Sequence, residues 1–500
     1  MSRQTRRSFL KQTVLAGVAV TAQTAVNASF TIAGTKSSGR VLGANDTIRV
    51  GVAGIHGRGE SHLSEFARMK GVQVIYLIDP DSSLFTGRIR RVKELGQNTP
   101  TCVQDIRKAL EDKQLDAISI ASPNHWHSLL AIWGCQAGKD VYVEKPCSHT
   151  VFEGRKCVEA AAKYGRIVQH GTQQRSSSGR AAEIAALRSG QWGKLLVSKA
   201  YVCKPRWAIR QYADEPAPKG FDYDLWLGPA AARPFNKTWV HYNWHWFWDF
   251  GNGEIGNQGV HEADVAHWAV KGATLPTKIW SLGGRLGFQD PGQTPNMQLA
   301  VFEFGDAQVV IEVRGLVGDL KSQKRVKKGS KDAENQEFPS KVSNEFHTTE
   351  GVVRGGKLIA KDGGKSHDVK VEPIHVTPGG AFGSFIDCVR TRKAEAVNAP
   401  IINGHYSAAL CHLANISYRL GRQVPFSQEP EGMSNPQIAE SFDTIKRNLK
   451  AAGVDLDKTS YQMGRTLTFD PATERFVGDA EADKLLTREY RAPYVVPEKV

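Results

Sequence analysis

The chain has no apolar run close to the roughly 20 residues that a membrane-spanning helix needs, so a bundle of membrane helices is excluded. Its seven cysteines are scattered at 102, 135, 147, 157, 203, 388 and 411, none at Cys-x-x-Cys spacing, and an odd number cannot all pair internally. That pattern argues against a zinc knuckle and against a disulfide framework. Stretches such as IWGCQAG and ALCHLA place thiols among apolar helix residues, where cysteine packs as a small hydrophobe. No His-Glu-x-x-His run is present. His241 and His245 have an i, i+4 spacing that can chelate zinc, yet YNW between them and WFWDF after them do not read as a helix, and no metal is expected. There is no internal repeat or low-complexity tract. The formal charge of +14 invites a nucleic-acid reading. However, the densest basic run, KSQKRVKKGSK from Lys321 to Lys331, has no aromatic residue to stack on bases. It reads as a solvated loop or hairpin tip, and no nucleic-acid partner is expected.

What is present fits a two-domain enzyme. At 500 residues the chain exceeds the roughly 250–300 at which one core stops growing. A hydrophobic content of 40% and a charged content of 23% are ordinary for a globular protein. The N-terminus differs from the rest: Arg6-Arg7, then Phe9, Leu10 and Lys11, precede a modest apolar stretch from Val14 to Ala22. This is the layout of a twin-arginine export leader, residues 1–28, with Val26-Asn27-Ala28 as a small-x-small cut site. Four of the fourteen excess positive charges lie in that leader. The expectation is passage through the twin-arginine translocase to the periplasm, the leader being cleaved or kept as a membrane tether. That route carries folded proteins, so a cofactor can be loaded before export.

From Thr47 strand-like and helix-like stretches alternate. IRVGVAG, VQVIYLID, LDAISIAS, DVYVEKP and RIVQHGT read as strands, with helical patterns between them. Such alternation predicts crossover units and a doubly wound parallel sheet, a Rossmann-type domain over about residues 46–172. Beyond it, LLVSKAYVCKP, PTKIWSLGGRLGF, NMQLAVFEFGDAQVVIEVRGL and KLIAKDG alternate with period two. They predict an α+β domain over 173–379 with a large, mostly antiparallel sheet. Helical patterns return between 380 and 425, and 426–500 reads as an extension of mixed polar helix and loop. The expected class is therefore α/β, a Rossmann domain followed by an α+β domain.

The first strand leads into a glycine-rich turn, Gly54-Ile55-His56-Gly57-Arg58-Gly59, in which a histidine occupies the second glycine of the usual Gly-x-Gly-x-x-Gly. Such a turn lets backbone approach a pyrophosphate and aims a helix N-terminus at it. His56 is compatible with this if its φ stays negative and Gly57 takes the special conformation. Asp79 ends the second strand 20 residues after Gly59. An acid there accepts hydrogen bonds from the adenosine ribose and repels a 2′-phosphate, favouring NAD over NADP. Turn and acid together predict a dinucleotide site.

Two further segments, ASPNHWHSLLAIWGCQAGKDVYVEKP (121–146) and GNGEIGNQGVHEADVAHWAV (251–270), resemble the Gfo/Idh/MocA family, the glucose-fructose oxidoreductase and inositol dehydrogenase group. The family carries a Ser/Thr-Pro-Asn/Asp-x-x-His loop, a Glu-Lys-Pro some 20 residues later, and a Gly-Asp-x-Gly-x-His-x-x-Asp helix opening. The similarity runs in order over nearly the whole chain after the leader. It implies that Ser122, Pro123, Asn124 and His127 border the cofactor together with Arg58 and Glu144. It further implies that Lys145, before a cis Pro146, lies between nicotinamide and substrate, and that His261 moves a hydroxyl proton. Asp264 follows three residues later on the same helical face, where it can orient the ring or bind a substrate hydroxyl. Asn257 departs from the aspartate of many members; an amide can position a hydroxyl but cannot act as a base. The helices of 380–425 are expected to pack back on the nucleotide domain, and family members associate through the open sheet face, which implies a homo-oligomer.

Just upstream, WVHYNWHWFW, residues 239–248, packs six large aromatic rings into ten residues. Such rings, Trp244 and Trp246 among them, can stack on the C–H faces of sugars or join the domains as a small core. The reading is an exported NAD-dependent oxidoreductase for a sugar, glycoside or polyol. The competing reading is a sugar-binding or accessory protein whose nucleotide site is structural or lost.

Overall fold

The computed structural model describes residues 46–500 apart from 318–337, 339, 362, 363, 365 and 431. The leader with Arg6-Arg7 and Ala28, and the basic run from Lys321 to Lys331, lie outside the described residues.

The chain begins with strand β1 (Ile48–Ala53), helix α1 (Gly57–Arg68), β2 (Val72–Ile78), α2 (Phe85–Glu94), β3 (Thr101–Val103), α3 (Ile106–Leu110), β4 (Ala117–Ile120), α4 (Asn124–Gln136), β5 (Asp140–Val143), α5 (Val151–Tyr164) and β6 (Val168–His170). The six strands pair in parallel in the order β3-β2-β1-β4-β5-β6. Strands β4 and β5 are buried at every residue, as strands covered by helices on both faces must be. Helix α5 shows how local chemistry fixes boundaries. The Thr150 side chain accepts from the backbone N–H of Glu153 at its start, and Gly165, at φ 57°, ends it in the left-handed conformation. The strand order reverses between β1 and β4, which opens a crevice beyond their C-terminal ends.

The second domain comprises α6 (Ser178–Ser189), β7 (Leu195–Cys203), α7 (Tyr223–Leu227), α8 (Gly253–Asn257), α9 (Gly259–Ala269), β8 (Lys278–Gly284), β9 (Met297–Phe304), β10 (Ala307–Arg314), β11 (Lys341–Thr348), β12 (Gly351–Arg354), β13 (Lys357–Ala360) and β14 (His367–Asp368). The remaining elements are α10 (Gly380–Thr391), α11 (Ile401–Arg419), β15 (Arg422–Pro425), α12 (Pro436–Ala451), β16 (Ser460–Met463), β17 (Leu467–Asp470), β18 (Arg475–Phe476) and α13 (Ala480–Lys484). The large sheet runs β14-β13-β12-β11-β7-β10-β9-β8-β16-β15 and is antiparallel except where β10 joins β7. One face buries Ile279, Phe302 and Ile311 against Val260 and Ala263 of α9 and Leu410 and Leu413 of α11. Helix α10 returns to the Rossmann domain, where Phe385 and Val389 pack with Ile48, Phe66 and Tyr142.

Residues 426–500 differ from the expected helix-and-loop extension. Helix α12 buries Ile438, Phe442, Ile445 and Leu449 against Trp280, Leu282 and Leu299 of the sheet. Strands β16 and β17 both pair with β8. Tyr494, Val496 and Val500 then lie in the Rossmann core beside Leu129 and Ile132. All seven cysteines are free. Among the described residues no helix is long and apolar enough to cross a membrane, and no group of three or more His, Cys, Asp or Glu side chains is placed to hold a metal ion.

Candidate active site

A cleft of about 460 Å3 lies beyond the C-terminal ends of β1, β2, β4 and β5, walled on its far side by residues from the second domain between Leu225 and His261. Its floor is the glycine turn. Gly54 has φ 78°, and a Cβ there would stand 2.5 Å from the backbone nitrogen of Ser122, so only glycine fits. A Cβ on Gly59 would stand 1.6 Å from the Gly54 carbonyl oxygen. Gly57 faces open space and takes no left-handed φ, so the special conformation expected there belongs to Gly54. The reason is that the sharp bend falls where β1 ends against the Ser122 loop. His56 precedes α1 with φ −74°, which any residue adopts, and its ring stacks on that of His241, centroids 5.0 Å apart and planes within 8°.

Asp79 ties the end of β2 to this turn: one carboxylate oxygen accepts from the Ile55 N–H at 2.8 Å and the other from the Asp81 N–H at 2.9 Å. Burial pushes its pKa up to about 6 against these two bonds. The loop after β4 places Ser122, Pro123 and Asn124 on the cleft wall. His127, also on that wall, sits between the carbonyl oxygens of Pro146, 2.6 Å from Nδ1, and Ser122, 2.7 Å from Nε2, and so fastens this loop to the segment holding Lys145. The Lys145–Pro146 bond is cis. Asn124 crosses to the second domain, its Nδ2 donating to Oδ1 of Asn252 at 3.1 Å.

Glu144 is buried yet charged. Its carboxylate accepts from Nε of Arg58 at 2.8 Å, from Nε2 of His62 at 3.0 Å and from the Lys145 N–H at 3.0 Å. Burial alone would raise it, but the bond from His62 and the charge of Arg58 hold it well below the usual carboxylate range. Burial keeps His62 neutral; with Nε2–H assigned towards Glu144, Nδ1 is left to accept from Ser119 Oγ at 2.8 Å.

Lys145 and His261 converge at the inner end. The Lys145 Nζ donates to the backbone oxygen of Asn257 at 3.0 Å and lies 3.4 Å from its Oδ1. The Asn257 amide is oriented from behind: its Nδ2 donates to Glu254 at 3.4 Å, and Glu254 is gripped by Arg206 through bonds of 2.7 and 2.6 Å. Burial holds the Lys145 ammonium below its ordinary value. The His261 ring, in the first turn of α9, lines the cleft and hydrogen-bonds no side chain or backbone atom among the described residues. Burial, reinforced by the charge of Lys145, pushes it down to about 3, so it is neutral and has a lone pair to offer.

Two expected substrate contacts lie elsewhere. Asp264 is fully buried in an ion pair with Arg175, Nε standing 3.0 and 2.9 Å from its two oxygens, and also accepts from Ser407. Helix α9 is packed on nearly every side, so a place one turn from His261 does not give Asp264 access to the cleft. Trp246 is turned into an aromatic cluster, with the Arg206 guanidinium 5.3 Å from its ring, while Trp244 lines the cleft. The structure adds His241, Tyr242, His245 and Gln173 to the wall. His245 is fixed by a bond between Nδ1 and the Tyr242 oxygen at 2.6 Å and by stacking on Trp244 at 3.6 Å. The density of rings in HYNWHW was the only sequence signal for these; Gln173 and Arg206 had none.

Comparison with known proteins matches two stretches of the chain. Residues 48–172 match the family model described as an oxidoreductase family with an NAD-binding Rossmann fold, and residues 194–283 match that of the oxidoreductase family's C-terminal alpha/beta domain. A glycosyl hydrolase family 109 protein of Shewanella pealeana is 27% identical over 217 residues, covering 41% of this chain and 48% of that protein. A Shewanella oneidensis protein named alpha-N-acetylgalactosaminidase is 27% identical over 219 residues, with the same coverage, 41% and 48%. The chain thus spans about half the length of the curated relatives it matches. Among solved structures, the WlbA dehydrogenase from Chromobacterium violaceum, in complex with NADH and UDP-GlcNAcA, has TM-score 0.51 at 15% identity, covering 73% of this chain and 92% of that one. A levoglucosan dehydrogenase in complex with NADH has TM-score 0.50 at 15% identity, covering 80% and 98%. These two likenesses show the fold. With the glycine turn, the Pro-Asn-x-x-His loop and the Glu-Lys-Pro strand end gathered on one cleft, the chain matches, over residues 48–172 and 194–283, the NAD-binding Rossmann domain and the C-terminal alpha/beta domain of the Gfo/Idh/MocA oxidoreductase family.

Proposed function

We propose that this oxidoreductase takes a hydride from a ring C–H of a sugar, glycoside or polyol, with Lys145 and His261 handling the hydroxyl proton and the dinucleotide retained through the turnover. The observation that carries the reading is the meeting of Lys145 and His261 with the glycine turn and Asp79 in one cleft. The residues fit a dinucleotide. Gly57 opens α1 onto empty space, so the first-turn N–H groups are accessible to phosphate. Asp79 accepts one backbone bond per oxygen and keeps lone pairs for ribose hydroxyls.

When bound, the cofactor supplies the hydride acceptor. Neutral His261 accepts the hydroxyl proton, and the Lys145 N–H not turned to Asn257 steadies the oxygen as charge develops on it. Glu144, ionised and backed by Arg58 and His62, holds the backbone at Lys145. Asn257, held by Glu254, aims its oxygen at Lys145 and takes no proton itself.

The relatives named as glycosyl hydrolases favour a closed cycle, in which transient oxidation to a keto sugar permits elimination before re-reduction. The twin-arginine motif supports export to the periplasm, where no NAD pool exists to exchange with, and a closed cycle suits that location. To test the reading, the purified protein is denatured without added cofactor and the supernatant assayed for NAD(H) and NADP(H). Near-stoichiometric NAD(H) is expected. In Lys145→Met the same NAD(H) content with turnover reduced by ~10²–10⁴, the usual worth of a proton-handling group, is expected. Release of neither nucleotide, with no uptake of added NAD, sinks the proposal and leaves a sugar-binding protein.

A further inference from the structure

Position 56 carries an imidazole where the fingerprint usually has glycine, and nothing in the turn asks for one: the backbone there is in an ordinary region and the side chain is not part of a core. What the ring meets is His241, from the second domain. The two rings lie parallel with centroids 5.0 Å apart, and both line the cleft. His241 is held from its other sides by Phe221, ring centroids 5.4 Å apart, and by Asp81, whose Oδ2 is 3.5 Å from its Nε2.

The same stretch of the second domain is fastened over the end of β2. Asp222 N–H donates to the Pro80 oxygen at 2.8 Å and Ser82 N–H to the Gly220 oxygen at 3.0 Å. Gln104 Nε2 donates to both of those carbonyls, at 2.7 and 3.0 Å. The loop from Asp79 to Ser82, which borders the ribose position, and the turn at His56, which borders the phosphate position, are therefore each bridged to the second domain. A glycine at 56 would leave the second bridge unmade.

We propose that His56 and His241 form a clasp between the phosphate-binding turn and the second domain, which slows release of the dinucleotide and keeps it resident in the cleft. The inference rests on the dinucleotide reading above and assigns the departure from the fingerprint a function: the imidazole trades nothing in the turn and gains a contact across the cleft mouth.

The test measures release, not activity. Wild type, His56→Gly, His241→Ala, the double variant and His56→Phe are loaded with NADH and mixed with excess NAD, and the loss of bound-NADH fluorescence is followed. A stacked pair of this kind predicts release about three- to tenfold faster in either single variant. The double variant should be no faster than the faster single one, since both remove one contact. His56→Phe, which keeps a flat ring, should stay within about twofold of wild type. Release unchanged in both single variants, or effects that multiply in the double variant, overturns the clasp while leaving cofactor binding intact. Failure of wild type to take up NADH at all overturns the dinucleotide reading itself, and the clasp with it.

Discussion

An amide at 257 can accept a hydrogen bond from Lys145 but cannot take its proton, so the electrostatics of the lysine are set by its neighbours. Burial lowers it, and the negative charges of Glu144 and Glu254 only partly restore it. Asn257→Asp places a further carboxylate beside the Nζ and favours the ammonium. The limb of the pH–rate profile that reports Lys145 should then move to higher pH; an unmoved limb would mean that Lys145 does not titrate in the reaction. Asp264 gives the opposite kind of prediction. Its partner Arg175 is buried, so Asp264→Ala leaves a guanidinium without its counter-charge, at a cost of roughly 3–5 kcal/mol. Thermal unfolding should show that loss while KM for substrate stays unchanged; a raised KM with an unaltered melting temperature would return Asp264 to the substrate.

At the scale of elements, legibility followed the range of the interactions. The crossover units were readable because each strand of the parallel sheet is an apolar run next to a helix with its own start and stop, as Thr150 and Gly165 show for α5. Asp79 could be named from sequence because it follows the end of β2, whereas Lys145 and His261 were named through the motifs that resemble the family's. Strands β3 and β16 were not readable, since TCV and SYQM carry no apolar run to mark a strand. Asp264 was misplaced because helical spacing tells which residues share a face and not what covers it. The C-terminal region follows from the same point: a sequence that reads as polar helix and loop covers Trp280 and Leu299 through α12 and extends the sheet edge at β8. Ending the chain at Pro425 would expose those residues and strip Tyr494 and Val496 from the Rossmann core. Such a truncated protein should be recovered only in aggregates, and a soluble, cofactor-binding product would show the region to be an appendage.

For the molecule as a whole, the distribution of buried histidines sets its response to acid. Burial holds His125, His170, His245, His261 and His412 down to about 3, and His267 and His347 to about 4, against an ordinary value near 6.5. A group whose folded pKa is depressed binds its proton in the unfolded chain first. Below about pH 6.5 the unfolded state therefore takes up protons that the folded state refuses, and stability falls by about 1.4 kcal/mol per pH unit for each such proton. Asp79, Glu153 and Glu262 act in the other direction: burial raises all three, Asp79 to about 6 and Glu262 to about 7, so between those values and the ordinary carboxylate range the folded state holds protons that the unfolded state has released. Three raised acids do not offset this many depressed histidines, and the net effect is acid lability. The melting temperature should be level from pH 8 to about pH 7 and then drop steeply towards pH 5, the window between the unfolded histidine value and the folded ones. Replacing His267, whose Nε2–H donates to the Thr274 oxygen at 2.8 Å away from the cleft, with Gln should make that drop shallower without altering NAD content. A melting temperature that stays level to pH 5 in the wild type would show that these rings hold protons in the folded state, and the neutral form assigned to His261 in proton transfer would then have to be given up as well.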